Sequence, residues 1–547
     1  MNAGKKDLVI FTGQSGIKLG SCISKLKRTG LDFQLVSVDK AILDISDKKF
    51  VEILGTPPSI QEILWTKAFE HVMNLLQSQS EVHEFTFLTF HACYYHQKRT
   101  EFVSPVNLKE LMQLKDRTKM IIVLIDDCYD IYRRLMDKGE MYDEVLSSDK
   151  SLDTLLESIC NLSDLLIWRE TEIAFSGKIA QLLGVQLYVI SVKHPDFMIS
   201  RLISAPKESL KILYLSHPIS VIRRQGSFTR LSEFYTEISS LIKDVLKYDN
   251  VVLFVPDTID EYIIKKNNGG DLYIPEPLSG WLLPFSDKWL HEPLPARLTK
   301  INPLNPTQYK YSAASDDART AISLTLRILN RRIGNQINSR DRTLVEQSKD
   351  GVLVYRPYLA ASTHSGVEEE MIYNCDLRDQ YGERGRKTYI ITTQEDLGKL
   401  RIKKLFTLIE TSVNITDSKD IGSLQELCEQ WLADPKKVLD FYSNSYDINE
   451  IRGAIEKVLP TDYRFVKDVL DKGGSLLSVA KMLQKAEQKK RGWSGIFRQV
   501  AEEDPLIVYS SKEDILLSSQ DRYDEETKDF IRDVIASKSR EGKSEGE

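Results

Sequence analysis

The run Ser365-Gly366-Val367-Glu368-Glu369-Glu370 sets three carboxylates behind a hydroxyl and a glycine. N–H groups at a helix start favour an anion, so a phosphate could dock at Ser365–Gly366 with a carboxylate beside it. Upstream, Asp341 adds a second acid next to Arg340, and Tyr214 precedes a polar stretch holding Ser216, His217, Arg223, Arg224 and Ser227. Guanidinium groups suit phosphate through charge-assisted hydrogen bonds. Together these residue types fit sugar-phosphate chemistry, with an acid aimed at the sugar and hydroxyls and arginines holding the anion. A plain structural account fits them too. Ser365-x-x-Glu368 is a capping box, and acids in a first helical turn are stabilised by the helix dipole. Asp341 can pair with Arg340 or Arg342, Arg223–Arg224 can be a solvated charge pair, and His217 and His364 can be simple hydrogen-bonding loop residues.

These side chains need elements to hold them. Gly351–Tyr355 is an apolar, β-branched run that reads as a buried parallel strand. Lys211–Ser216 reads as a strand running into a polar loop, Leu231–Lys247 as a helix, and Val251–Val255 as the next strand, closing on Pro256-Asp257. Ser312–Gln336 has helical periodicity and leads to Arg340 and Asp341, while 258–310 is proline-containing, weakly periodic and reads as an insertion. In open α/β sheets, ligands bind beyond the carboxyl ends of the strands, which is where the Ser216 loop and the Glu370 segment fall.

A similar pattern opens the chain. The run Asp7-Leu-Val-Ile-Phe-Thr-Gly13-Gln-Ser-Gly16-Ile-Lys18 reads as a short apolar strand leading into a glycine-rich turn, then a helix from Ser21 to Lys27. Strands follow at Phe33–Val38, Glu84–His91, Met120–Ile125 and Gln186–Val192, with helices at Ser59–Ser78 and Ser163–Leu183 between them. Strands alternating with helices predict a doubly wound parallel sheet. This stretch resembles the P-loop nucleoside and nucleotide kinases. The resemblance makes Gly13, Gly16 and Lys18 a phosphate turn, Asp126 and Asp127 the end that holds Mg²⁺ or its water, and Arg133, Arg134 and Arg169 phosphate contacts. It implies Mg²⁺ and ATP at this domain. Ile17 and Leu19 flank Lys18 where the pattern has glycine and a hydroxyl residue, so the turn also reads as the connection of a kinase-shaped scaffold, with Asp126 and Asp127 as a strand end and helix cap.

The second domain resembles the nucleoside 2-deoxyribosyltransferases and the related 2'-deoxynucleoside 5'-phosphate N-hydrolases. Three blocks carry this in order: Tyr214-Leu-Ser216-His217-Pro218; Arg340-Asp341 ahead of Asp350-Gly-Val-Leu-Val; and Ser365-Gly366 with Glu370 four residues beyond the glycine. The resemblance implies that Glu370 is the nucleophile and that Asp341 contacts the base or moves its proton. Tyr214 would line the base pocket. The Ser216 loop with His217, Arg223, Arg224 and Ser227 would hold phosphate or sugar hydroxyls, and Ser365 and Gly366 would bind the phosphate. It also implies a homo-oligomer whose subunits complete each other's pockets. Cleavage of this kind needs no metal or cofactor. Beside this enzymatic reading stand a nucleotide kinase or NTPase working through the first domain, and a nucleotide-binding sensor without turnover.

Composition limits the alternatives. Over 547 residues the chain is 41% hydrophobic and 28% charged, which is ordinary for a globular protein of about three domains. A net charge of −6 argues against nonspecific nucleic-acid binding, which needs a basic surface. Six scattered cysteines without metal spacing suggest a reducing compartment. With neither an apolar leader core nor a run long enough to cross a bilayer, a cytoplasmic location and no membrane partner are expected. The expected fold is α/β: two doubly wound, three-layer parallel-sheet domains, 1–205 and 206–400, then a helical region, 401–547. That region holds helical segments from Arg401 onward, a basic stretch at Lys485–Arg498, and a charged tail, Ser537–Glu547, expected to be disordered.

Overall fold

The computed structural model describes residues 7–78, 83–96, 101–137, 150–206, 209–219, 228–259, 261, 265–266, 272–273, 316–357, 366–379, 381–383, 385–412, 417–443, 445, 447–459, 515–519 and 523–536. Lys485–Arg498, Ser537–Glu547 and most of 258–310 lie outside these residues. Fourteen strands are described: β1 Leu8–Thr12, β2 Phe33–Ser37, β3 Phe85–Thr89, β4 Tyr94–His96, β5 Glu101–Val103, β6 Thr118–Ile125, β7 Gln186–Ser191, β8 Lys211–Ser216, β9 Val251–Phe254, β10 Lys265–Lys266, β11 Leu272–Tyr273, β12 Gly351–Tyr355, β13 Lys387–Thr393 and β14 Ile515–Ser519. β4–β5 and β10–β11 are short antiparallel ribbons, and the other ten build two five-stranded parallel sheets. The chain is α/β, and it divides into two compact units: Met1–Leu210 with Pro256–Gln347, and Lys211–Val255 with Ser348–Glu547.

The first unit has strand order β2-β3-β1-β6-β7. All five β1 residues are buried, as a strand covered on both faces requires. Ile10, Trp65, Phe69, Leu88, Phe90 and Leu111 belong to the core on one side, where the helix Pro58–Ser78 packs. Val123, Ile125, Val189 and Ile259 form a smaller cluster. Among the described residues β7 is an edge strand, and edges invite wrong pairing unless covered. Here the Gln347 amide, at the end of the helix Asp316–Gln347, accepts from Val189 N–H at 2.9 Å and donates to Val189 C=O at 2.9 Å, as a neighbouring strand would.

The second unit has order β14-β13-β12-β8-β9. Successive strands thus run 2-1-3-4-5 across the sheet, and the connections leaving β8 and β12 depart in opposite directions. The crevice between the ends of these two strands is the topological switch point, the preferred ligand position in such sheets. Gly351 starts β12 with φ +113°, and a Cβ there would lie 1.8 Å from Lys387 O, so only glycine fits. β14 is not foreseen from its sequence: Ile515-Leu-Leu-Ser-Ser pairs in parallel with β13. Buried Lys211 reaches from the start of β8 to Val534 O near the end of the helix Glu525–Ala536 and to Tyr389 Oη at 3.2 Å.

Between β13 and β14 lie the helices Gln394–Ser412, Ser418–Leu432, Pro435–Ser443 and Ile448–Val458. Asp417, Asp434 and Asp447 cap the last three through N–H bonds of 2.8, 3.0 and 2.8 Å. Leu405, Leu424, Trp431, Phe441 and Ile451 share their apolar core. No helix among the described residues is long and apolar enough to cross a membrane.

Candidate functional site

Glu370 lies on the helix Gly366–Asp379, which follows β12, yet its carboxylate is held by β8. Tyr214 Oη donates to Glu370 Oε1 at 2.9 Å, and Ser216 Oγ donates to Oε2. Alternation along β8 puts residues 214 and 216 on one face, and register pairs them with Val352 and Val354 of β12. One donor on each oxygen fixes both the position and the rotation of the carboxylate. Tyr214 and Ser216 are fully buried, whereas Glu370 is half-buried. Both hydroxyls, on residues expected to line the base pocket and the phosphate loop, therefore bond the acid. Of its neighbours, Glu369 is exposed and Glu368 half-buried in the first helical turn.

The opposite face of the same strand ends is aromatic and charged. His217 is buried, with its ring centroid 6.1 Å from Phe234, which in turn is 6.0 Å from Tyr355. Tyr355 Oη donates to Glu237 Oε2 at 2.9 Å, and the buried carboxylate beside it pushes the phenol, already raised by desolvation, well above its ordinary range. Arg356 follows with φ +46°, a left-handed conformation that costs a long side chain about 1–3 kcal/mol. Its guanidinium bonds Asp396 at 2.8 Å and Glu237 at 3.3 Å. Local pattern did not point to these four residues, because Glu237 and Asp396 lie on helices distant in sequence from Arg356.

The remaining expected residues are distributed differently. Gly366 opens its helix and is exposed, with no atom near the place a Cβ would occupy. Arg223, Arg224, Ser227, His364 and Ser365 lie outside the described residues. Asp341 belongs to the first unit, whereas Glu370 belongs to the second. Asp341 Oδ1 accepts from Arg340 Nε at 3.1 Å and Nη2 at 2.9 Å, the ion-pair alternative read from the sequence.

In the first unit, the Gly13–Gly16 turn meets the chain's own side chains. Gly13 N–H donates to Glu172 Oε1 at 3.0 Å, Ala92 N–H to the same oxygen at 2.7 Å, and Cys93 N–H to Oε2 at 2.8 Å. Glu172 is 1% exposed, and burial raises its carboxyl despite these donors. Gly16 has φ +88°, and its carbonyl accepts from Arg134 Nη1 at 2.7 Å. Arg134 also pairs with Asp126, whose other oxygen lies 3.4 Å from Lys193 Nζ. Arg169, expected to meet phosphate, instead grips Glu261 with two bonds of 2.6 and 2.8 Å and donates to Asp126 C=O at 3.2 Å. Lys18 is exposed.

Asp127, Cys128 and Glu261 offer three ligand atoms within 4.8 Å of one another, all buried. The set does not suit a cation: both Glu261 oxygens are already held by Arg169, and burial pushes both the Asp127 carboxyl and the Cys128 thiol up towards their neutral forms. Glu172 and Glu261 were not anticipated. The one available signal was that Arg169, Glu172 and Ser176 recur at helical spacing as polar residues on an otherwise apolar helix face. Neither a scan of protein-family models nor a search of curated proteins finds a match to this chain.

Proposed function

We propose that the second unit cleaves the N-glycosidic bond of a nucleoside 5'-phosphate, with Glu370 as the attacking carboxylate. The observation that carries this reading is the Glu370 carboxylate at the switch crevice of a parallel sheet, held through both oxygens by Tyr214 and Ser216. An oxygen of Glu370 bonds to C1' as the C1'–N bond breaks, and the base leaves with the electron pair and takes up a proton. Water then hydrolyses the glycosyl ester, restoring the carboxylate and releasing the sugar phosphate, as in retaining glycosidases. A second base in place of water would make the same site a transferase. Tyr214 and Ser216 are positioning residues, holding the carboxylate in one rotamer so that it meets the sugar already oriented.

The nucleotide preference rests on Arg223 and Arg224, which follow β8 in sequence, and a homo-oligomer is suggested by the resemblance carried by the three sequence blocks. The six cysteines are all free thiols, which accords with a cytoplasmic setting. Chromatography of reactions with a panel of ribo- and deoxyribonucleoside 5'-phosphates tests the reading. Free base appearing with wild type and not with Glu370→Gln is expected. Tight binding with no base released from any member would replace the enzyme by a nucleotide sensor.

A further inference from the structure

We propose that the ligand crevice of the first unit is a built anion nest whose ligand is the chain's own Glu172 carboxylate, which keeps phosphate-bearing ligands out. Three main-chain N–H groups from two different strand ends, Gly13 after β1 and Ala92 and Cys93 after β3, converge on this carboxylate at 2.7–3.0 Å. Convergent N–H groups of a glycine turn are what a phosphate loop offers an oxyanion. Here the position is filled, at 1% exposure, by a side chain from the helix Lys150–Leu183.

The same helix covers the neighbouring strand ends with matched partners. Gln14 Nε2 donates to Leu165 O at 3.2 Å, Trp168 Nε1 donates to Cys93 O at 3.2 Å, and Ser176 Oγ lies 2.7 Å from Thr12 Oγ1. Arg169 reaches Asp126 O, and Arg134 joins Asp126 to Gly16 O across the β1 and β6 ends. A phosphate entering this crevice would meet no free Gly13 N–H and would have to expel a buried carboxylate. Like charges in so dry a place exclude each other strongly. The residues around Lys18 agree, since Leu19 supplies no hydroxyl for a phosphate-bound Mg²⁺.

Hydrogen–deuterium exchange of the full chain, read on peptides covering residues 11–18 and 90–96, tests the proposal locally. In wild type, millimolar inorganic pyrophosphate, with or without Mg²⁺, should leave exchange there unchanged. In Glu172→Ala these peptides should exchange about tenfold faster or more, because three donors lose their acceptor. Formate or pyrophosphate, but not equal chloride, should slow them again. Glu172→Gln, which keeps the side-chain volume and replaces an acceptor oxygen by a donor, should give an intermediate rate and serves if the alanine variant does not fold. Protection of these peptides by pyrophosphate in wild type would overturn the proposal. So would unchanged exchange in both variants, or accelerated exchange that neither anion slows.

Discussion

At the scale of single residues, the proposed reaction assigns one task to Glu370 and another to the two hydroxyls that hold it. If Glu370 attacks the sugar, Glu370→Gln should lower base release by about a thousandfold or more, since an amide forms no stable glycosyl intermediate. Tyr214→Phe removes the hydroxyl that donates to Glu370 Oε1 and keeps the ring, so kcat should fall about 10- to 100-fold with KM little changed. Steady-state kinetics on the same nucleotide separates the two effects. Equal losses in kcat for Tyr214→Phe and Ser216→Ala would fit one shared task, whereas a pure KM effect would return Tyr214 to the base wall. In the first unit, Asp127 offers a different test. Burial, with Glu261, Asp130 and Asp126 nearby, pushes its carboxyl well above the ordinary range, although Lys193 opposes this. The folded state therefore keeps a proton that the unfolded chain releases near pH 4 or so. Folded binds more protons than unfolded, so this residue's contribution to stability falls as pH rises above that point. Melting curves across about pH 5 to 8 should show Asp127→Asn gaining on wild type as pH increases; its side-chain oxygen can still accept from Tyr129 N–H.

At the scale of elements, glycines mark the closest approaches. Gly351→Ala would drive a methyl into the Lys387 carbonyl and demand a left-handed alanine, and should cost several kcal/mol by denaturant titration, about 3 or more. Gly398→Ala should be comparably harmful, because its Cβ would stand 2.1 Å from Val438 O between two helices. Gly366→Ala, with nothing near the added carbon, should leave stability within about 0.5 kcal/mol. Most elements are legible in the sequence for simple reasons. Leu8–Thr12, Met120–Ile125 and Gly351–Tyr355 are apolar runs of strand length, and the structure returns strands there within two residues. The helix expected at Ser312–Gln336 extends to Gln347, because nothing at Arg340-Asp341-Arg342 breaks it. β14 stays hidden since five residues carry little periodicity and its partner β13 lies far upstream. The site shows the same division. Glu370 is legible from a local motif, but its anchoring by Tyr214 and Ser216, and the bonding of Glu172 to Gly13, join residues more than 150 positions apart. No local pattern encodes such pairs.

At the scale of the whole molecule, the two units interleave along the chain: Lys211–Val255 goes to the second, Pro256–Gln347 returns to the first, and Ser348 onward completes the second. The first sheet is thus contiguous in sequence while its supporting partners are not. Arg169 takes Glu261 and Gln336 as partners, and β7 takes Gln347, all from the returning segment. A fragment ending at residue 210 would leave Arg169 buried without its carboxylate, a loss of about 3–5 kcal/mol, and would bare an edge strand. Expressed alone, it should be insoluble or unfolded by circular dichroism, whereas co-expression with 256–347 should recover it in part.

The parallel pairing of β14 with β13, followed by a helix whose Val534 carbonyl accepts from Lys211 of β8, carries a consequence for biogenesis. While a ribosome is still translating the segment between them, β13 has an open flank, and the nascent second sheet is one strand short. Loops between parallel neighbours close slowly as their length grows, so this flank stays available to strangers for much of synthesis. A holdase that recognises extended apolar strands should engage the emerging polypeptide after residue 393 and let go once residue 519 has cleared the exit tunnel.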